Sequence, residues 1–89
     1  MNDLQREREE LIAADQHLVE GEQRISRQIV LIQRLAEQGC DTALAKVLLG
    51  LLEETMVTWQ DHRQLILDAI ARLERKTVLP RVDHGPDSP

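Results

Sequence analysis

Leu35-Ala36-Glu37-Gln38-Gly39-Cys40-Asp41-Thr42-Ala43-Leu44-Ala45 is the stretch that decides the fold. Gly39 suits the left-handed backbone that closes a helix. Asp41 or Thr42 can accept a hydrogen bond from the free amides of a following helix. A connection this short makes the two helices antiparallel neighbours. Upstream, from about Asp3 to Gln38, there is no Pro and one Gly, Gly21. Leu4, Leu11, Leu18, Ile25 and Ile32 recur at intervals of seven, which places them on one helical face. Asn2 or Asp3 can cap this helix, and Glu7, Glu9 and Glu10 suit its positive end. Downstream, Ala45, Leu52, Trp59, Ile66 and Leu73 also repeat at sevens, with Leu48, Thr55, His62 and Ala69 as the companion row.

The expected fold is all-α: an antiparallel two-helix hairpin over residues 1–76, with helices over 3–38 and 42–76 and a turn at 39–41. Residues 77–89, which hold Pro80, Gly85, Pro86, Asp87 and Pro89, read as a flexible C-terminal tail. Composition agrees, because the chain has one Trp, no Phe and no Tyr, whereas sheets draw on aromatic and β-branched residues. Leu, Ile, Ala, Glu, Gln and Arg dominate, and most of these lose little rotamer freedom in a helix.

Centring the turn near Cys40 sets a register in which residues equidistant from it face each other. Leu35 then meets Ala45, Ile32 meets Leu48, Gln28 meets Leu52 and Ile25 meets Thr55. Further from the turn, Gly21 meets Trp59, Leu18 meets His62, Ala14 meets Ile66 and Leu11 meets Ala69. Large residues meet small ones at several levels, as interdigitated packing requires. An interior Gly costs about 1 kcal/mol relative to Ala, so Gly21 opposite the single Trp has a packing reason. The residues expected in the seam are thus Leu11, Leu18, Gly21, Ile25, Ile32, Leu48, Leu52, Trp59 and Ile66.

The apolar arc is wider than this seam. Leu44, Leu51 and Leu65 flank it on one side of the second helix, and Leu49, Met56 and Ile70 on the other. Ile29, Val30 and Leu31 flank Ile32 on the first. One hairpin leaves these in water, so the expectation is self-association, as a homodimeric four-helix bundle. Its interface would use Ile29, Leu31, Leu44, Leu49, Leu51, Met56, Leu65 and Ile70.

Candidate sites are sparse. His17 and His62 come together in this register, beside Asp15, Glu20 and Arg63. Imidazoles and carboxylates are common metal ligands, but the paired Glu-x-x-His motifs of di-iron bundles are missing. A polar layer of His17, His62 and Arg63 that fixes the register is the favoured reading. Arg24, Arg27 and Arg34 lie in a stretch, residues 23–36, that has no acidic residue. They could meet RNA phosphates as in dimeric hairpin regulators of the Rop kind. No aromatic residues are interleaved for stacking, and pairing with Glu53, Glu54 or Asp61 of a neighbour competes. The net charge of −5, from 16 acidic and 11 basic residues, also disfavours nucleic acid, since phosphate binding needs a concentrated basic surface.

Nothing points to catalysis or to a cofactor. Cys40 stands alone in the turn with no His beside it to activate the thiol. There is no phosphate-binding glycine loop, zinc motif or hydrolase elbow, and a bundle of this size has little room for a pocket. One cysteine makes no internal disulfide, and no apolar run approaches the roughly 20 residues that span a bilayer. The opening residues, Met1 to Glu7, lack a leader's apolar core. The expectation is a non-enzymatic cytoplasmic scaffold or interaction module whose partners are itself and another protein, without membrane insertion.

One larger pattern stands out. Asp15, His17, Gly21, Arg24, Ile25, Gln28, Leu31, Ile32 and Leu35, then Gly39, Asp41, Thr42, Ala45, Leu48, Leu49 and Leu52, then His62, Arg63, Leu65 and Ile66, resemble a widespread family of small uncharacterised bacterial helical-hairpin (coiled-coil) proteins. The resemblance spans roughly Asp15 to Leu73. It implies the hairpin fold, carries over no catalytic residue, and singles out the neighbourhood of His17, Gly21, His62 and Arg63.

Overall fold

A computed structural model describes the backbone of residues 2–84 and the side chains of residues 2–76. Two helices, α1 (Asp3–Glu37) and α2 (Ala43–His84), account for almost all of it and pack against each other along one antiparallel seam. The protein is an all-α helical hairpin, with extents of 77 × 24 × 14 Å.

Local chemistry sets both helix starts and the reversal between them. At the head of α1 the Asn2 side chain accepts from the Gln5 amide at 3.1 Å, so Asn2 rather than Asp3 is the cap. At its other end Gly39 adopts φ +75°, a conformation that costs a residue with a Cβ but not glycine. The Gly39 amide donates to the Ala36 carbonyl at 3.0 Å and the Cys40 amide to the Leu35 carbonyl at 2.8 Å. This bond pair is the Schellman closure, which satisfies two carbonyls the helix would leave bare. The Ala43 amide then donates to Asp41 Oδ1 at 2.9 Å, and the Lys46 amide to the Thr42 carbonyl at 2.9 Å. α2 therefore begins as soon as α1 has ended.

The inner face of α1 follows the heptad to the residue. Leu4, Glu7, Leu11, Ala14, Leu18, Gly21, Ile25, Gln28, Ile32 and Leu35 are buried or half-buried, and apart from Asp15 every other described residue of this helix is exposed. In α2 the row Ala45, Leu52, Trp59, Ile66 and Leu73 is inward, but its companion is Leu49, Met56, Arg63 and Ile70. The sequence register chose Leu48, Thr55, His62 and Ala69, and of these Leu48, Thr55 and His62 are exposed. Thr55 instead donates its hydroxyl to the Leu51 carbonyl, at 2.9 Å. The physical reason is apolar content. Stepping four residues from Ala45 collects Leu49, Met56 and Ile70, whereas stepping three collects only Leu48 as a large apolar side chain. The wider step hides more hydrocarbon.

Three consequences correct the sequence register. Leu49, Met56 and Ile70 belong to the seam and not to an outer flank. Leu48 belongs to the outer surface. Gly21 faces Met56 rather than Trp59, because a Cβ built on Gly21 would run into Met56 Sδ. The logic of a missing side chain opposite a bulky one survives with Met56 as the bulky partner. α2 also extends past Lys76 to His84, beyond the expected helix end. Pro80 removes one backbone donor, but helix propagation adds a bond per residue once the nucleus exists, and the next stop signal in the sequence is Gly85-Pro86. Of the expected tail, residues 85–89 lie outside the described residues.

The Gly21 contact makes a specific expectation. Gly21→Leu should overfill the seam and lower stability by about 1–3 kcal/mol in urea unfolding. Met56→Ala in the same chain should recover most of that loss, and Trp59→Ala should not. Recovery through Trp59 alone would restore the original register.

Candidate functional site

Few side chains are hidden by this fold. Among the described residues only Ala14, Gln28, Met56 and Ile66 are buried. Two helices side by side form a single layer, so each seam residue is covered laterally and left open above and below. The large side chains of Leu31, Leu44, Val47, Leu48 and Leu51 are all exposed, Leu44 by 82%. Together with Leu35, Ala45 and the aliphatic part of Gln28 they line one open apolar groove beside the turn. Leu65, 66% exposed, continues the Leu44 and Leu51 row.

The anticipated flank is therefore partly present. Leu31, Leu44, Leu51 and Leu65 lie uncovered on one side, and Ile29 lies on the opposite side of α1 with Ile12 and Val19. Val47 and Val57 are exposed as well, and like Ile12 and Val19 they lie outside the flanks expected from the sequence. Their signal was available: Val47 lies one turn from Leu44 and Leu51, and Val57 shares a row with Gly50.

Gln28 is the one buried polar residue among those described. Its Nε2 donates to the Ala45 carbonyl at 2.9 Å, so the amide is satisfied and ties α1 to the first turn of α2. Burial of such a group without a partner costs roughly 1–3 kcal/mol. Gln28 was placed in the seam by the heptad, but nothing in the sequence assigned its bond.

Midway along the hairpin the polar layer takes a definite form. His17 stacks on Trp59 with ring centroids 4.2 Å apart, and His62 meets the same indole edge-on at 5.4 Å. The two imidazoles are thus gathered by Trp59. Arg63 sits in an inward row and turns its Nε to Asp15 Oδ1 at 2.5 Å. Both partners are more than a third exposed, so water screens the pair and its contribution is below about 1 kcal/mol. His17 Nδ1 also lies 3.7 Å from Glu20 Oε1. No group of three or more His, Cys, Asp or Glu among the described residues is placed to hold a metal ion.

Arg24, Arg27 and Arg34 are exposed on α1. Arg27 and Arg34 border a shallow surface with Ser26, Val30 and Leu31. The arginine ion pairs among the described residues involve Arg6, Arg8 and Arg63 instead. Cys40 is a free, exposed thiol in the turn. Among the described residues no helix is long and apolar enough to cross a membrane.

Set against protein-family models, curated proteins and solved structures, the chain matches none. The class of protein defined by the fold is an antiparallel helical hairpin with an uncovered apolar face.

The aromatic layer generates its own test. A double-mutant cycle with His17→Ala and Trp59→Ala, read by urea unfolding, should return a coupling of about 0.5–1.5 kcal/mol. Additive losses would mean that the stack contributes nothing beyond the area each ring covers.

Proposed function

We propose that this chain is a non-enzymatic interaction module that self-associates through its uncovered apolar surface, with a homodimeric four-helix bundle as the assembled form. The observation that carries the proposal is exposed area. The accessible surface is 6680 Å². A compact monomer of 10.2 kDa exposes about 5,300 Å². The excess of about 1,400 Å² exceeds the roughly 800 Å² that each partner contributes to a standard interface. Much of the exposed surface is hydrocarbon, with eleven large apolar side chains open to solvent among the described residues. Leu31, Leu44, Val47, Leu48 and Leu51 line one groove among them, and contiguous apolar patches mark sites of association.

A scaffolding role in the cytoplasm, with another protein held on the remaining surface, suits a hairpin built from rigid helices and offering only open, shallow concavities. The second reading is an RNA-binding bundle of the Rop kind. Its one supporting observation is that Arg24, Arg27 and Arg34 make no ion pair among the described residues.

Sedimentation equilibrium tests the proposal directly. The expected result is a species of twice the chain mass at micromolar concentration; a compact, stable monomer there rejects it. The RNA reading makes a separate expectation: binding to structured RNA that weakens steeply with salt and falls when Arg27 and Arg34 are both replaced by Ala. Binding unaffected by salt or by those changes removes it.

A further inference from the structure

We infer that a second copy of this chain covers the face carrying Leu31, Leu44, Leu48, Leu51 and Leu65, along the whole rod and with both turns at the same end. The inference rests on the self-association proposed above and specifies its geometry.

The choice of face comes from what each side would bury. Leu44, Leu48, Leu51 and Leu65 follow one another at spacings of four, three and fourteen and so share one side of α2. Leu31 lines the same groove, which identifies the matching side of α1. The opposite side carries the two ion pairs that cross the seam, Asp15–Arg63 and Arg8–Glu74. Covering that side would desolvate both pairs, at a penalty their attraction does not reliably offset. The leucine side has no ion pair bridging the helices among the described residues.

The orientation follows from how hydrocarbon is distributed along that face. Its turn end carries Leu31, Leu44, Leu48 and Leu51, with Asp41 at the groove and Arg27 and Arg34 bordering Leu31; its open end carries Glu10, Ala13, Ala69 and Arg72 and no Leu, Ile or Val among these. A two-fold contact sets the same patch on both copies. A full-length pairing with the turns at opposite ends would lay Leu44 and Leu48 over the partner's polar open end. With the turns together, leucine meets leucine, and α1 of each copy runs antiparallel to α2 of the other.

Full-length overlap is required by Leu65, which lies well beyond the turn half. The Asp15–Arg63 contact puts residue 65 at the axial level of residue 13, so Leu65 would rest on Ala13 of the partner subunit, large against small. The Gly21–Met56 contact likewise puts residue 27 at the level of residue 50. Arg27, which has no ion pair among the described residues of its own hairpin, then comes within one helical turn of Glu54 of the partner subunit.

Spin labels read the arrangement on the full chain. One sample carries the label on the native Cys40, which is free and exposed. The other carries it on Ala71→Cys in a Cys40→Ser background, near the open end and also exposed. Helices in contact pack with axes about 8–10 Å apart, so both samples should give distances below about 30 Å. With the turns at opposite ends, the Cys40 labels would lie about 50 Å apart, the length of α1. That result overturns the orientation, and a short Cys40 distance with a long Ala71→Cys distance overturns the full overlap. Leu51→Glu should weaken the dimer about 30-fold or more, while Val57→Glu should change it by less than about threefold. The reverse order overturns the choice of face. A monomer in the unmodified protein instead rejects the self-association itself, so the two failures are distinct.

Discussion

A layer one helix thick has a seam but no interior. Every feature of this protein follows from that constraint. Two rods in contact shield each other along a single line, so a side chain on that line is protected from the sides and open above and below. Only residues small enough to vanish into the seam, such as Ala14, or central enough to be overhung, such as Ile66, become buried. The rest of the apolar content sits at angles that two helices cannot cover, however well the seam is packed.

Within the seam, polar atoms set register more than they add stability. Gln28 gives its amide to a carbonyl in the first turn of α2, and Arg63 reaches out of the seam to Asp15. Glu7 also occupies an inward position. Each such residue takes a place that Leu would fill with more buried area. In return, sliding either helix by one turn separates Gln28 from its carbonyl and sets Met56 away from the hollow at Gly21. The Schellman turn at Gly39 limits sliding from the other direction, because a connection of this length has no slack.

The fold was legible because its signals are redundant. The heptad of α1, the glycine at the turn and the near absence of aromatics each point to a helical hairpin, and the α1 inner face is readable except at Glu7, whose charge suggested only the helix start. The α2 face was harder because two adjacent rows both look apolar near the turn, where Leu48 and Leu49 are neighbours. A step of three from Ala45 and a step of four give inner faces turned by about 100° at that row. Farther along, Met56 and Ile70 against Thr55 and Ala69 favour the step of four. Weighing the whole helix rather than its first turn would have chosen it. The Gly21 contact and the Gln28 bond inherit that choice, so neither could be assigned first. The gathering of His17 and His62 was visible, but the role of Trp59 between them depends on the corrected face.

A seam interrupted by Glu7, Gln28 and Arg63 is a weak source of stability for one hairpin, while Leu31, Leu44, Leu48 and Leu51 stand exposed together beside the turn. On the self-associating reading these two facts belong together. Folding and assembly then draw on the same hydrocarbon, and the stability of the folded chain depends on its concentration. The polar positions confine each hairpin to one register, which keeps Leu31 of α1 aligned with Leu48 and Leu51 of α2. Without that alignment the exposed leucines would be a general adhesive surface. With it they form a patch of fixed shape, and a fixed shape can distinguish a second copy from other apolar surfaces.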